Sequence, residues 1–193
     1  MRSSLLTVII IIFSIFSKAQ VPVNSGVVFA KEFSKEIALY RAKAFVIETV
    51  LGISSEVVGF QIDPLAASSS GELTSLVYRC QEKGKEGMVL GFYGDYWNSA
   101  GVEYKGFSFK DISKDKALYL LDTIQKAIDD YSTFLSQDKD NNNIYFKAEG
   151  MTFLISNMTG GIKIRVFWNE FDAEWDMTAF RRTKRRLLNK LNE

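Results

Sequence analysis

What most limits the folds open to this chain is that its strand-like runs come in consecutive groups, each preceded by a helical stretch. From Phe33 the apolar residues Phe33, Ile37, Tyr40, Ala44, Ile47 and Leu51 recur every three or four positions and stop at Gly52, which predicts a first helix of about five turns. Phe45, Val46 and Val50 make its second half apolar nearly all round, so it should lie buried across a sheet. Strand-like runs follow at 57–62, 73–80, 87–97 and 102–110, separated by clusters of turn-forming residues. A second helix starts at Ser113, a good N-cap, and runs through Ala117, Leu120, Leu121, Ile124, Ile128 and Leu135. Its opposite face carries Asp115, Asp122 and Asp129 at seven-residue spacing, the pattern of a solvated stripe. Further runs at 144–148, 151–156 and 162–168 include a hairpin through Thr159-Gly160-Gly161, and a last helix covers about 173–191.

Parallel pairing would need a crossover between successive strands, whereas grouped strands pair with their neighbours. The expected fold is therefore α+β: an antiparallel sheet in two strand groups, with helices packed mainly on one face, in a single domain over 20–193. Helix-plus-meander order occurs twice, at about 31–110 and 113–193. Ala38-Leu39-Tyr40 echoes Ala117-Leu118-Tyr119, a weak pseudo-repeat. The serine-rich stretch 64–71 reads as a loop within the domain.

Residues 1–19 have the make-up of a cleaved secretory signal peptide. Arg2 gives a positive start, residues 5–16 an apolar run broken only by Thr7 and Ser14, and Ser17-Lys18-Ala19 a small-x-small cleavage site. The expectation is an exported protein, periplasmic or extracellular, with no span left after cleavage, because the apolar run is well short of the roughly 20 residues a membrane helix needs. Without the leader, 174 residues carry 22 bases and 23 acids, a balance that predicts no affinity for nucleic acid. The single cysteine, Cys80, cannot form an internal disulfide, which suits an exported bacterial chain large enough to fold without staples.

The chain contains no histidine, so Ser-His and Cys-His nucleophile systems and His-ligated metals are excluded. Ser113-Lys114-Asp115-Lys116 has S-x-x-K spacing but lacks the partner elements of that chemistry. Paired carboxylates of glycosidase type are open to a chain this rich in acids, although sequence cannot bring two of them together.

Three groups of residues are candidates for binding. The stretch 138–149 resembles the calcium loop of an EF-hand over twelve residues, with Asp138, Asp140, Asn142 and Glu149 at ligand positions one, three, five and twelve, and Asn143 where that loop has glycine. The resemblance implies Ca²⁺ as cofactor; without an exit helix it does not extend to the EF-hand fold. A hairpin over 87–110 holds seven aromatics. Of these Tyr93, Trp97 and Tyr104 would face a glycan or a partner protein if helices cover only one side of the sheet. The last helix carries Arg181, Arg182, Arg185 and Arg186, a cationic patch suited to an anionic partner. The expected function is an exported, non-catalytic binding or envelope-interaction domain of bacterial type. A calcium-binding domain and a histidine-free hydrolase are the alternatives.

Overall fold

The computed structural model describes residues 35–97, 100, 103–139 and 141–191. The leader at 1–19 and Phe33 lie outside the described residues. The first helix, α1 (Lys35–Phe45), runs directly into a π-helical turn over Val46–Val50. There Leu51 N–H bonds to the Val46 carbonyl at 2.8 Å and Ile53 N–H to that of Ile47 at 3.0 Å. Gly52 then reverses the chain at φ +67.

Two four-stranded antiparallel meanders follow. The first sheet contains β1 (Gln61–Ala67), β2 (Leu73–Cys80), β3 (Lys85–Trp97) and β4 (Glu103–Ser113); the second contains β5 (Asn143–Ala148), β6 (Met151–Met158), β7 (Gly161–Trp168) and β8 (Phe171–Asp176). Between them run α2 (Lys114–Asp130) and the short α3 (Ser132–Gln137), and α4 (Met177–Leu191) closes the chain. The fold is α+β, as grouped strands require. The expected turn at Thr159-Gly160 joins β6 to β7, with Met158 opposite Gly161. Two further two-residue turns, Glu149-Gly150 and Asn169-Glu170, take positive φ at both positions, the geometry that matches strand twist.

Two cores result. The larger joins the inner faces of both sheets (Met88, Leu90 and Phe92; Phe153, Ile155 and Ile164) to Leu120, Leu121 and Ile124 of α2 and Phe180 and Leu187 of α4. The smaller lies on the other face of the first sheet, where Leu76, Tyr78, Val89, Tyr93, Phe107 and Phe109 pack under Ala42, Val46, Val50 and Leu51. Helices therefore cover both faces of the first sheet. The two helix-plus-meander units share an order but not a packing, since α1 lies on the outer face of its sheet while α2 packs in the larger core, against β3 and β4.

Several local expectations are corrected. The buried side of the first helix is Ala42, Val46 and Val50, while Tyr40 is 68% exposed. The first strand is β1 at Gln61–Ala67, not 57–62, and so takes in half of the expected loop. Pro64 is tolerated there because β1 is an edge strand with a bulge, the register jumping from Pro64–Leu76 to Ala66–Ser75. Residues 171–176 form β8 rather than the start of the last helix: Phe171, Ala173 and Trp175 alternate inward, Asp172, Glu174 and Asp176 outward. Among the described residues no helix is long and apolar enough to cross a membrane.

Candidate functional site

The surface that stands out chemically is the C-terminal helix, held in place from both ends of the sequence. Asp176 ends β8 and caps α4: one carboxylate oxygen accepts from Ala179 N–H at 2.9 Å, the other from Ser69 N–H at 2.7 Å. Partial burial works against ionisation of Asp176, but the amides of Ala179 and Ser69 outweigh it and hold the carboxyl below the usual carboxylate range. Ala179, Phe180, Thr183 and Leu187 form the buried stripe of α4. Thr183 places its hydroxyl 2.6 Å from that of Ser75 on β2, so each buried group satisfies the other.

From Met177 to Leu191 this helix has six bases and no acid. Three of the six are committed to the fold. Lys184 pairs with Asp122 of α2 at 2.9 Å, and Lys190 with Asp63 of β1 at 3.5 Å. Arg186 donates to the carbonyl of Leu65 at 2.5 Å. Leu65 is the bulged residue of β1 and has no register partner on β2, so the guanidinium supplies the donor that the ladder cannot. Arg186→Ala should cost about 1 kcal/mol, seen as a lower midpoint in thermal unfolding, whereas Arg185→Ala should leave the midpoint where it was; equal effects would contradict this division of labour.

Arg181, Arg182 and Arg185 differ from these. All three are exposed, and among the described residues none has an ion pair or hydrogen bond. Spaced one and four residues apart, they share the outward side of α4 with the neutral Thr178 and Asn189. Where the end of α4 meets β1 and β2, Gln61, Asp63, Arg79 and Lys190 line a polar cleft of about 240 Å³. There Arg79 donates to the Lys190 carbonyl at 2.8 Å, so the cleft walls are tied to each other.

The other candidate groups are not assembled in the way their spacing suggests. Tyr93 is buried beneath α1, with its ring 6.0 Å from that of Phe109 and its hydroxyl accepting from Thr74 at 3.3 Å. Burial pushes its phenol up to about 12. Gly91 makes this possible, since a Cβ there would lie 2.6 Å from the Tyr93 hydroxyl. Tyr93 is a core residue, not a ring presented to a ligand, because α1 closes the face that was expected to be open. The side chains of Trp97 and Tyr104 lie outside the described residues.

In the 138–149 stretch, Asp140 lies outside the described residues. Asp138 accepts from the Asn141 amide at 3.0 Å, and the Asn142 amide donates to the Phe134 carbonyl at 2.6 Å, which makes a polar turn closing α3. Glu149 sits in the β5–β6 turn, beyond a six-residue strand that spans about 20 Å, and pairs with Lys116 at 3.2 Å. The structure does not bring Glu149 to the Asp138 turn. No cluster of three metal-ligating side chains occurs among the described residues.

Among the described residues, two carboxyls have a displaced proton affinity, and neither suits acid catalysis. The Lys114 ammonium bonded to Glu86 at 2.6 Å lowers the Glu86 pKa, and that of Asp176 is lowered as well, the wrong direction for a general acid. Spacing had grouped Arg186 with its neighbours; only the bulge at Leu65, far away in sequence, separates it from them. Comparison with protein families, curated proteins and solved structures finds no match for this chain.

Proposed function

We propose that this chain is an exported, non-catalytic binding module of the bacterial envelope that docks an anionic partner on α4 through Arg181, Arg182 and Arg185. The export half of the reading rests on the leader composition of residues 1–19. The binding half rests on one observation: three exposed guanidinium groups on one helix face lack a counter-charge among the described residues, while Lys184, Arg186 and Lys190 beside them are all engaged. Guanidinium forks match carboxylate, sulfate and phosphate oxygens two at a time, so a partner with closely spaced anions gains both geometry and charge.

Each charge near an anionic surface contributes about 1 kcal/mol, so three give roughly a hundredfold preference that salt erodes. Heparin serves as a sulfated-glycan probe. The chain from Gln20 should be retained on immobilised heparin. Arg181→Ala/Arg182→Ala/Arg185→Ala should elute at clearly lower salt with an unchanged melting midpoint. Elution of the triple variant at the parent's salt concentration would remove α4 from consideration as the docking face.

A further inference from the structure

We infer that the anionic partner of α4 is helix α2 of a second copy of this chain; the inference rests on the reading of α4 as an anion-docking face. The two helices adjoin within one copy, bridged by Lys184 and Asp122. To one side of the bridge lie Arg181, Arg182 and Arg185. To the other, α2 exposes Asp115, Asp122 and Asp129 along one line, with Asp130 beside them. Lys126 is the one base inside that acidic face, since Lys116 is turned toward Glu149. A single continuous surface is thus basic on one helix and acidic on the next.

Such a surface is complementary to itself under a two-fold rotation. Turned about a dyad, the arginines of each copy meet the aspartates of the other, and every contact occurs twice, as an isologous interface requires. Each half also carries an apolar side chain that its own copy leaves in water: Tyr119 of α2 is 71% exposed and Leu188 of α4 is 41% exposed. Bringing α2 against α4 covers both, which adds a salt-independent component to the charge pairing. An arginine-rich helix facing an unrelated polyanion would have no need of the acidic stripe beside it, which would repel that ligand. A second copy uses both stripes.

Charge exchange tests this directly. By sedimentation velocity, the chain from Gln20 should be dimeric at low salt and monomeric near 1 M, where the screening length falls to about 3 Å. Arg181→Glu/Arg185→Glu alone and Asp115→Lys/Asp129→Lys alone should each be monomeric, the latter leaving the Asp122–Lys184 bridge intact. An equimolar mixture of the two should recover a heterodimer, and circular dichroism melts confirm that each variant is folded. A parent that is monomeric at low salt overturns the inference, as does a mixture that fails to dimerise or a dimer that survives both reversals. Arginine-dependent heparin retention by a monomeric parent would overturn the second-copy assignment while leaving the anion-docking reading in place. A restored heterodimer with arginine-independent heparin retention would support the assignment and confine the docking face to self-recognition.

Discussion

Trp175→Ala should remove about 3–5 kcal/mol of stability, lowering the thermal midpoint by around ten degrees at roughly 2–4 °C per kcal/mol for a chain of this length. Trp175 is the largest fully buried side chain among the described residues, 1% exposed, and lies where three elements meet. It projects inward from β8 opposite Ile164 of β7, and its ring meets that of Phe180 on α4 edge-on at 5.4 Å. Removing the indole opens a cavity bounded by a sheet and by a helix capped at Asp176, neither of which can collapse into it. Trp175→Phe keeps a ring against Phe180 and should cost less than half as much. A loss near 1 kcal/mol for the alanine variant, measured by denaturant unfolding, would mean that the β8–α4 junction is not the anchor of the larger core.

Asp176→Ala should cost about 2 kcal/mol, the upper range for an N-cap, because the same carboxylate also holds Ser69 of the first sheet. The loss should be accompanied by a change in the acid limb of stability. Asp176 has a lowered pKa in the folded chain, so its contribution is fully present above the unfolded value near 4 and disappears as pH falls through the lower folded value. Glu86, held down first by its bond to Lys114, behaves in the same sense. The parent should therefore lose stability below about pH 4, and Asp176→Asn should keep part of the cap while showing a shallower acid limb. An acid limb of parental slope in that variant would show that the carboxylate charge, as distinct from its acceptor geometry, contributes nothing.

Local pattern alone revealed a good deal of this architecture. The strand-like runs at 73–80 and 151–156, and the glycines of Thr159-Gly160-Gly161, marked strands and a hairpin where the structure has them. The apolar stripe from Ala117 to Ile128 marked the buried face of α2. Where two readings were locally compatible, the expectation missed. Phe171 to Asp176 is rich enough in acids to pass for the first turn of a helix, and only the turn at Asn169-Glu170, with positive φ on two non-glycine residues, makes it a strand. Val57 resembled a strand residue but is fully exposed, because the first edge strand begins four residues later and uses its bulge to turn Leu65 inward.

Of the candidate sites, the cationic helix was legible and its internal division was not. Which arginines are left over depends on distant partners: Leu65 for Arg186, Asp122 for Lys184 and Asp63 for Lys190. Tyr93 failed as a surface residue for a related reason, since the helix that buries it lies some fifty positions earlier in the chain.

The amino-acid order alone carries the α+β class, the grouping of strands into meanders and the buried face of α2. These follow from periodicity and turn chemistry, which act over a few residues. What that order does not carry is the division of the strands into two sheets, the placement of α1 on the outer face of the first and of α2 and α4 in the larger core, and which charges among the described residues remain without a partner. Those outcomes are set by packing and by pairing between groups about sixty to more than a hundred residues apart, for which local spacing carries no signal.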